Sequence, residues 1–288
     1  MLAYRHSFHA GNFADVFKHA LLTQLLLLLV RKEKPLLFLD THAGTGLYDL
    51  SHPWARKLAE SEDGIARLWK RSDLPSQLMP YIEAVRAENP DNALRFYPGS
   101  PRIARRLLRS SDRMALSELN RDDCAALARL FERDRRVAVR CFDGYQALKA
   151  LLPPSERRGL VLIDSSFDRS AEFARLTDAL AFSHKRFATG VYALWYPLMA
   201  PATMHGFERG VIATGVRKIL QLELAPLPEG WTVSLRGCGL LVVNPPFGFE
   251  REARSLLAWL GPVLSQSDET SSATRPGAAA RVRWLVPE

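Results

Sequence analysis

Residues 36–46 read LLFLDTHAGTG, and no other stretch constrains the fold as much. An unbroken apolar run into Asp40, followed at once by a glycine-rich turn, describes a buried parallel strand ending in a tight, ligand-cradling loop. Gly44 and Gly46 permit positive φ and close approach of the backbone, both of which a Cβ resists. Many α/β proteins turn on glycine without binding anything, so the signal needs support from the rest of the chain.

That support comes from strand-like segments that recur downstream. MALSEL carries Glu118 at its end, VAVRCF leads into Asp143-Gly144, GLVLID ends at Asp164, and YALWY, KILQLEL, GLLVVN and VRWLV follow. Helix-length segments or loops separate them, which predicts an α/β fold with a mainly parallel, doubly wound sheet. Residues 47–97 break the rhythm with GIARLW and QLMPYIEAVRAEN, whose helical spacing predicts a small helical insertion within a single domain, 1–288. Residues 265–280 are low in complexity and predict a loop before the last strand.

Upstream of the glycine turn, residues 20–30 read ALLTQLLLLLV. The run is well short of the roughly 20 residues a spanning helix needs, and no small-residue cleavage site follows it. It predicts a buried core helix capped by Asn12 or Asp15, with no membrane association.

Charge narrows the choice of partner. The formal net charge is +8, much of it in clusters at Arg102, Arg105, Arg106 and Arg109, at Arg133, Arg135 and Arg136, and at Arg157 and Arg158. Such a surface attracts phosphate backbones with salt-dependent affinity, although a solvated basic surface without a partner reads the same way. The three cysteines, Cys124, Cys141 and Cys238, include no Cys-x-x-Cys pair. This argues against a disulfide framework and a structural zinc site, and for a reducing, cytoplasmic compartment.

Three acids, Glu118, Asp143 and Asp164, sit just past strand ends, where open α/β sheets bind ligands. Each alone reads as a strand-end cap. Together, an acid after the second strand suits a ribose diol and one after the third suits the exocyclic amine of adenine. A nicotinamide dinucleotide would fit both, but its fingerprint needs a third glycine and an acid about 20 residues on. S-adenosylmethionine has the same ribose and adenine without a pyrophosphate, and is the better match. His6, His9, His19 and His42 raise the alternative of a metal-dependent hydrolase. Their spacing matches no zinc pattern and no His-Glu-x-x-His helix, so hydrogen-bonding roles are expected and no metal.

Several longer strings carry a resemblance. YRHSFHAGN…DVFKH at the N-terminus, LDTHAG, YPGSP at Tyr97–Pro101, Glu118, FDGYQ at Phe142–Gln146, KRFATG…YALWYP and the terminal WLVPE together resemble the RlmJ family. These are bacterial 23S rRNA adenine-N6 methyltransferases, and the similarity runs over nearly the whole chain. The resemblance implies a Rossmann-like class I methyltransferase sheet with an inserted helical subdomain, S-adenosylmethionine as methyl donor, and protein-free or early-assembly 23S rRNA as substrate. No obligate protein partner is implied. Carried across by motif, the donor site falls on His19, His42, Ser100, Glu118, Asp143, Gly144 and Asp164. Tyr4, His6 and Lys18 fall on the segment used at the substrate adenine.

The family's catalytic tetrapeptide, Asp-Pro-Pro-Tyr, is here DSSF, Asp164 to Phe167. In that motif a carboxylate accepts from the adenine amine, turning its lone pair towards the methyl group, while an aromatic ring stacks on the extruded base. Asp164 and Phe167 retain both functions, but Ser165 and Ser166 lack the stiffness of two prolines. A slowed enzyme, or an RNA-binding relative without catalysis, is the alternative. A second candidate tetrapeptide, NPPF at Asn244 to Phe247, follows a late strand and reads as a proline-stiffened strand end.

Overall fold

The computed structural model describes residues 6–167, 171–227, 235–265 and 279–288. Its longest helix grows from the leucine-rich run. Helix α1 (Phe13–Val30) begins where the side chain of Asn12 accepts the backbone N–H of Asp15 at 2.9 Å, so Asn12 is the cap. The helix starts seven residues before Ala20, and by length and composition it reaches what a membrane crossing needs, yet 83% of it is buried in the fold. A helix apolar nearly all round has to be covered on every side. It packs against α5 (Ser100–Leu107) and α10 (Phe249–Leu264).

The large sheet has eight strands: β1 (Leu37–Asp40), β4 (Arg113–Ser117), β5 (Val137–Arg140), β6 (Gly159–Ile163), β7 (Val191–Pro197), β8 (Ile219–Ala225), β9 (Cys238–Val243) and β10 (Ala279–Val286). Their order is β10-β8-β9-β7-β6-β1-β4-β5. From β5 to β7 all neighbours are parallel, whereas β9 is antiparallel to β7 and β8, and β10 is antiparallel to β8. This is the expected Rossmann-like class I methyltransferase sheet, extended by one edge strand. Between the strands of this sheet run α6 (Arg121–Leu130), α7 (Gly144–Leu151), α8 (Glu172–Arg186) and α9 (Pro201–Ala213).

Residues of β1 alternate between two cores. Phe38 joins the cluster beneath α1 and α10, whereas Leu37 and Leu39 join the cluster with Leu148 of α7 and Leu176 and Leu180 of α8. With helices on both faces, the strand has no solvent side, which is why it reads as a continuous apolar run.

Between β2 (Leu47–Asp49) and β3 (Phe96–Pro98), which pair antiparallel, lie α2 (Pro53–Leu58), α3 (Ala66–Trp69) and α4 (Met79–Ala87). Leu68, Tyr81, Ile82 and Val85 belong to the same cluster as α1. The base of this excursion is pinned to the glycine turn, because Gly99 N–H donates to the carbonyl of Gly46 at 3.0 Å. Most of the low-complexity stretch 265–280 lies outside the described residues.

The cysteine reading needs correction. Cys124 of α6 and Cys141, just past β5, form a disulfide with Cα atoms 5.5 Å apart. Adjacent strand and helix bring together two residues whose sequence separation of 17 says nothing of contact. With a bonded pair, cysteine usage no longer argues for a reducing compartment.

Candidate active site

The chain runs from β1 to β4 and β5 in one direction, then crosses back to β6 on the other side of β1. The C-terminal ends of β1 and β6 therefore flank the topological switch point, where such sheets hold ligands. Their register aligns Asp40 with Leu162, so Asp164 projects two residues beyond the shared edge.

The glycine turn at this edge is required by geometry. Gly44 has φ 59° and Gly46 φ 78°, and a Cβ on Gly44 would lie 2.1 Å from the Tyr48 hydroxyl. The Gly44 N–H donates to Glu118 Oε2 at 2.9 Å while the Asn120 N–H donates to Oε1 at 2.7 Å. Each carboxylate oxygen thus holds one backbone donor. Burial raises the Glu118 pKa above the usual carboxylate range against the pull of those two donors.

Asp40 is fully buried. It accepts from Ser100 Oγ at 2.7 Å and from the His42 N–H at 3.2 Å, yet burial pushes its pKa up to about 7. Ser100 thereby fastens the start of α5 to the end of β1. His42 meets Thr41 Oγ1 at 2.8 Å and lies in T-shaped contact with the Tyr145 ring, centroids 5.6 Å apart, and burial lowers its pKa.

The other half of the site comes from α1. Lys18 Nζ lies 2.6 Å from Asp164 Oδ2 and 2.9 Å from Asp15 Oδ1. Asp15 is also held by His6 Nε2 at 3.0 Å and by the Gly11 N–H at 2.9 Å. Burial opposes the Lys18 charge, but the two carboxylates hold its pKa well above the usual lysine value. Burial likewise opposes ionisation of Asp15, and His6 and Lys18 outweigh it, leaving its pKa well below the usual value. His19 is buried on the same helix, its Nδ1 2.7 Å from the Tyr97 hydroxyl, and burial followed by the neighbouring Lys18 lowers its pKa strongly.

At the DSSF turn, Phe167 has φ 53°, a conformation that costs a bulky side chain about 1–3 kcal/mol. Its ring lies in T-shaped contact with Phe173 and Trp195, with centroids 4.8 and 5.9 Å away. Asp143 caps α7 by accepting the Gln146 N–H at 3.0 Å, and its other oxygen lies 3.7 Å from Arg175. A Cβ on Gly144 would sit 2.1 Å from the Thr41 carbonyl, so α7 starts hard against the end of β1.

The structure thus brings His6, Lys18, His19, His42, Ser100, Glu118, Asp143, Gly144, Asp164 and Phe167 to one edge of the sheet; Tyr4 lies outside the described residues. Asp15 entered the sequence reading only as a possible cap, and Tyr97 and Tyr145 only as letters in strings. No local signal marks Asp15 as the pivot between His6 and Lys18. The histidines have separate partners, His6 on Asp15, His9 on Glu60, His19 on Tyr97 and His42 on Thr41. Among the described residues no group of three or more His, Cys, Asp or Glu side chains is placed to hold a metal.

The NPPF segment sits at the opposite edge. Val243 aligns with Tyr192 at the start of β7 because β9 is antiparallel, so Asn244 leaves the sheet at the far end from Asp164. Its side-chain amide donates to the carbonyls of Ala188 and Gly190, both at 2.8 Å, bracing the entry to β7.

Residues 33–276 match the family described as ribosomal RNA large subunit methyltransferase D, RlmJ. The ribosomal RNA large subunit methyltransferase J of Escherichia coli (strain K12) is 44% identical over the full length of both chains. That of Haemophilus influenzae is 42% identical, again over the full length of both. The crystal structure of protein LPL1258 from Legionella pneumophila superposes with a TM-score of 0.87 at 36% identity, covering 96% of this chain and 98% of that one. With its sheet order, its switch-point site and these full-length similarities, the chain belongs to the RlmJ family of ribosomal RNA large subunit methyltransferases.

Proposed function

We propose that this protein methylates the N6 amine of an adenine in 23S ribosomal RNA, with S-adenosylmethionine as donor, in the cytoplasm and without an obligate protein partner. The observation that carries the proposal is the Asp164 carboxylate at the switch point, fixed through Oδ2 by Lys18 at 2.6 Å. The residues fit the donor. The carboxylate of Glu118 suits a ribose diol, and the φ 59° of Gly44 keeps the adjoining backbone free of a Cβ. In this reading His19, His42, Ser100, Asp143 and Gly144 complete the donor site, supported by the bond of Ser100 to Asp40 and the approach of Gly144 to Thr41 at the end of β1. When bound, the sulfonium donor supplies an electrophilic methyl group.

The chain's own contribution is positioning. An adenine N6 lone pair is delocalised into the ring and is a poor nucleophile. Asp164, held through Oδ2 by Lys18, accepts a hydrogen bond from the amine through its remaining oxygen and turns the lone pair towards the methyl group. Phe167 offers a ring face to the extruded base, backed by Phe173 and Trp195. His6 acts through Asp15 on the lysine, while Tyr4 belongs to the same N-terminal segment. In-line transfer between two held groups then leaves only the surplus proton of the methylated amine, which passes to water. Ser165 and Ser166, in place of two prolines, favour a second reading in which the same site binds but transfers slowly or not at all.

Tritiated-methyl transfer from S-adenosylmethionine to protein-free 23S rRNA lacking the modification tests both readings. Label in adenine N6 supports the enzyme. Donor and RNA binding without label supports the binding-only relative, and absence of donor binding in calorimetry removes the cofactor assignment.

A further inference from the structure

The arginine clusters do not surround the site. Each of the six strands running in the direction of β1 has two or more basic residues on it or within six positions before it, at 31–34, 109–113, 133–136, 157–158, 185–186 and 217–218. All lie at the N-terminal edge of the sheet, while Asp40, Glu118, Asp143 and Asp164 lie at the C-terminal edge. From Arg113 to Glu118 along β4 is about 17 Å at roughly 3.3 Å per residue.

The fold merges the clusters into one surface. Arg105 and Arg136 share the Asp134 carboxylate, and Arg136 reaches the carbonyl of Arg109 at 3.5 Å. Arg109 donates to the Lys32 carbonyl at 2.7 Å, and Arg158 approaches the same carbonyl at 3.4 Å. Burial and the nearby Arg109 depress the Arg158 pKa, a sign of crowded like charge. Beside them a groove of about 530 Å³ is lined by Arg102, Arg105, Arg106, Arg133 and Arg136 against only two acids, Glu88 and Asp134. Arg106, Arg133 and Arg135 point into solvent.

We propose that this edge is a second RNA-docking face, which binds the phosphate backbone of large-subunit rRNA outside the stem that presents the target adenine. The inference rests on the reading of the opposite edge as an RNA methyltransferase site. Its width selects the ligand. A nucleotide or lone phosphate would fill only the groove, whereas the basic strand entries from β5 to β8 extend over about 29 Å at roughly 4.8 Å between strands. Distributed cations on that scale match a polyphosphate backbone. Because the adenine is held on the far side of the sheet, the RNA bound here is a different segment from the target stem.

The test uses the full chain with the triple substitution Arg106→Ala, Arg133→Ala, Arg135→Ala, and two RNAs: a short stem-loop around the adenine that acquires the tritium label, and a longer 23S fragment extending from it. Stem-loop methylation should stay within about twofold of the unmutated protein. Affinity for the long fragment should fall about tenfold near 0.15 M salt, and the slope of log affinity against log salt should shrink by about 2, as expected for losing three phosphate contacts. Unchanged long-fragment affinity and slope would overturn the proposal. So would an equal loss on both RNAs, which would place the face on the target stem. Loss of binding to polyglutamate with RNA binding intact would assign the edge to an acidic protein instead. If the unmutated protein methylates neither RNA, the reading of the active site fails, while long-fragment binding still decides this one.

Discussion

Lys18→Met tests the link between α1 and the catalytic edge. Lys18 is almost wholly buried, its side chain 6% exposed, between Asp15 at 1% and Asp164 at 17%. Methionine preserves the unbranched stem and removes the charge. Breaking a buried pair by deleting one partner costs about 3–5 kcal/mol, since a carboxylate is left without compensation. The lower end applies, because Asp15 keeps His6 and the Gly11 N–H, and Asp164 has access to water. A loss of about 3 kcal/mol corresponds to a fall in Tm of about 6–12 °C for a domain of this class. The pH signature follows from both shifts. Asp15, with its pKa depressed, contributes stability that is present above about pH 4 and lost as pH falls through its folded value. Lys18, with its pKa raised, contributes stability that is present below about pH 10.4 and lost as pH rises through its folded value. The variant should lack the alkaline loss and show a weaker acid one. Below its Tm it should still bind S-adenosylmethionine, with kcat reduced about a hundredfold, because Asp164 is no longer held in place. Chemical denaturation across pH, calorimetric titration of the donor and tritiated-methyl transfer together measure these effects. A variant within about 0.5 kcal/mol of the parent and with full turnover would refute the reasoning.

Glu118→Gln should weaken S-adenosylmethionine binding by about 1.5–3 kcal/mol in calorimetry, the worth of hydrogen bonds to a charged acceptor, and an unchanged Kd would remove Glu118 from the ribose. Asp164→Asn should abolish methyl transfer while RNA binding persists; full activity in it together with an inactive Asn244→Ala would move the chemistry to the NPPF segment. Ser165→Pro with Ser166→Pro should raise the transfer rate with donor affinity little changed, and a drop in rate would show that the serine turn is already the competent geometry. Cys141→Ser should lower unfolding free energy by about 3 kcal/mol relative to the oxidised protein, the loop-closure value for a loop of this length; equal stability with and without reductant would contradict it.

The sequence by itself determined the local pieces. Apolar runs and strand-end acids located the eight strands of the large sheet, because burial on both faces is written into consecutive residues, whereas the short β2–β3 pair inside the helical excursion carried no such run. The glycine turn was legible for the same reason, since a positive φ is a property of one residue. Tertiary structure decided which pieces meet. Lys18 and Asp164 are 146 residues apart, and their contact exists only because α1 lies over the crossing between β1 and β6. Strand direction sent NPPF to the opposite edge: β9, antiparallel to β7 and β8, exits where they enter, which a tetrapeptide cannot report. The arginine clusters were visible as charge, but only the shared direction of six strands gathered them on the edge opposite the site. Cys124 and Cys141 were two of three scattered thiols until α6 and the exit of β5 became neighbours. Spacing along a chain encodes periodicity and turn chemistry over a few residues, whereas sheet order and strand direction depend on the burial of the whole core.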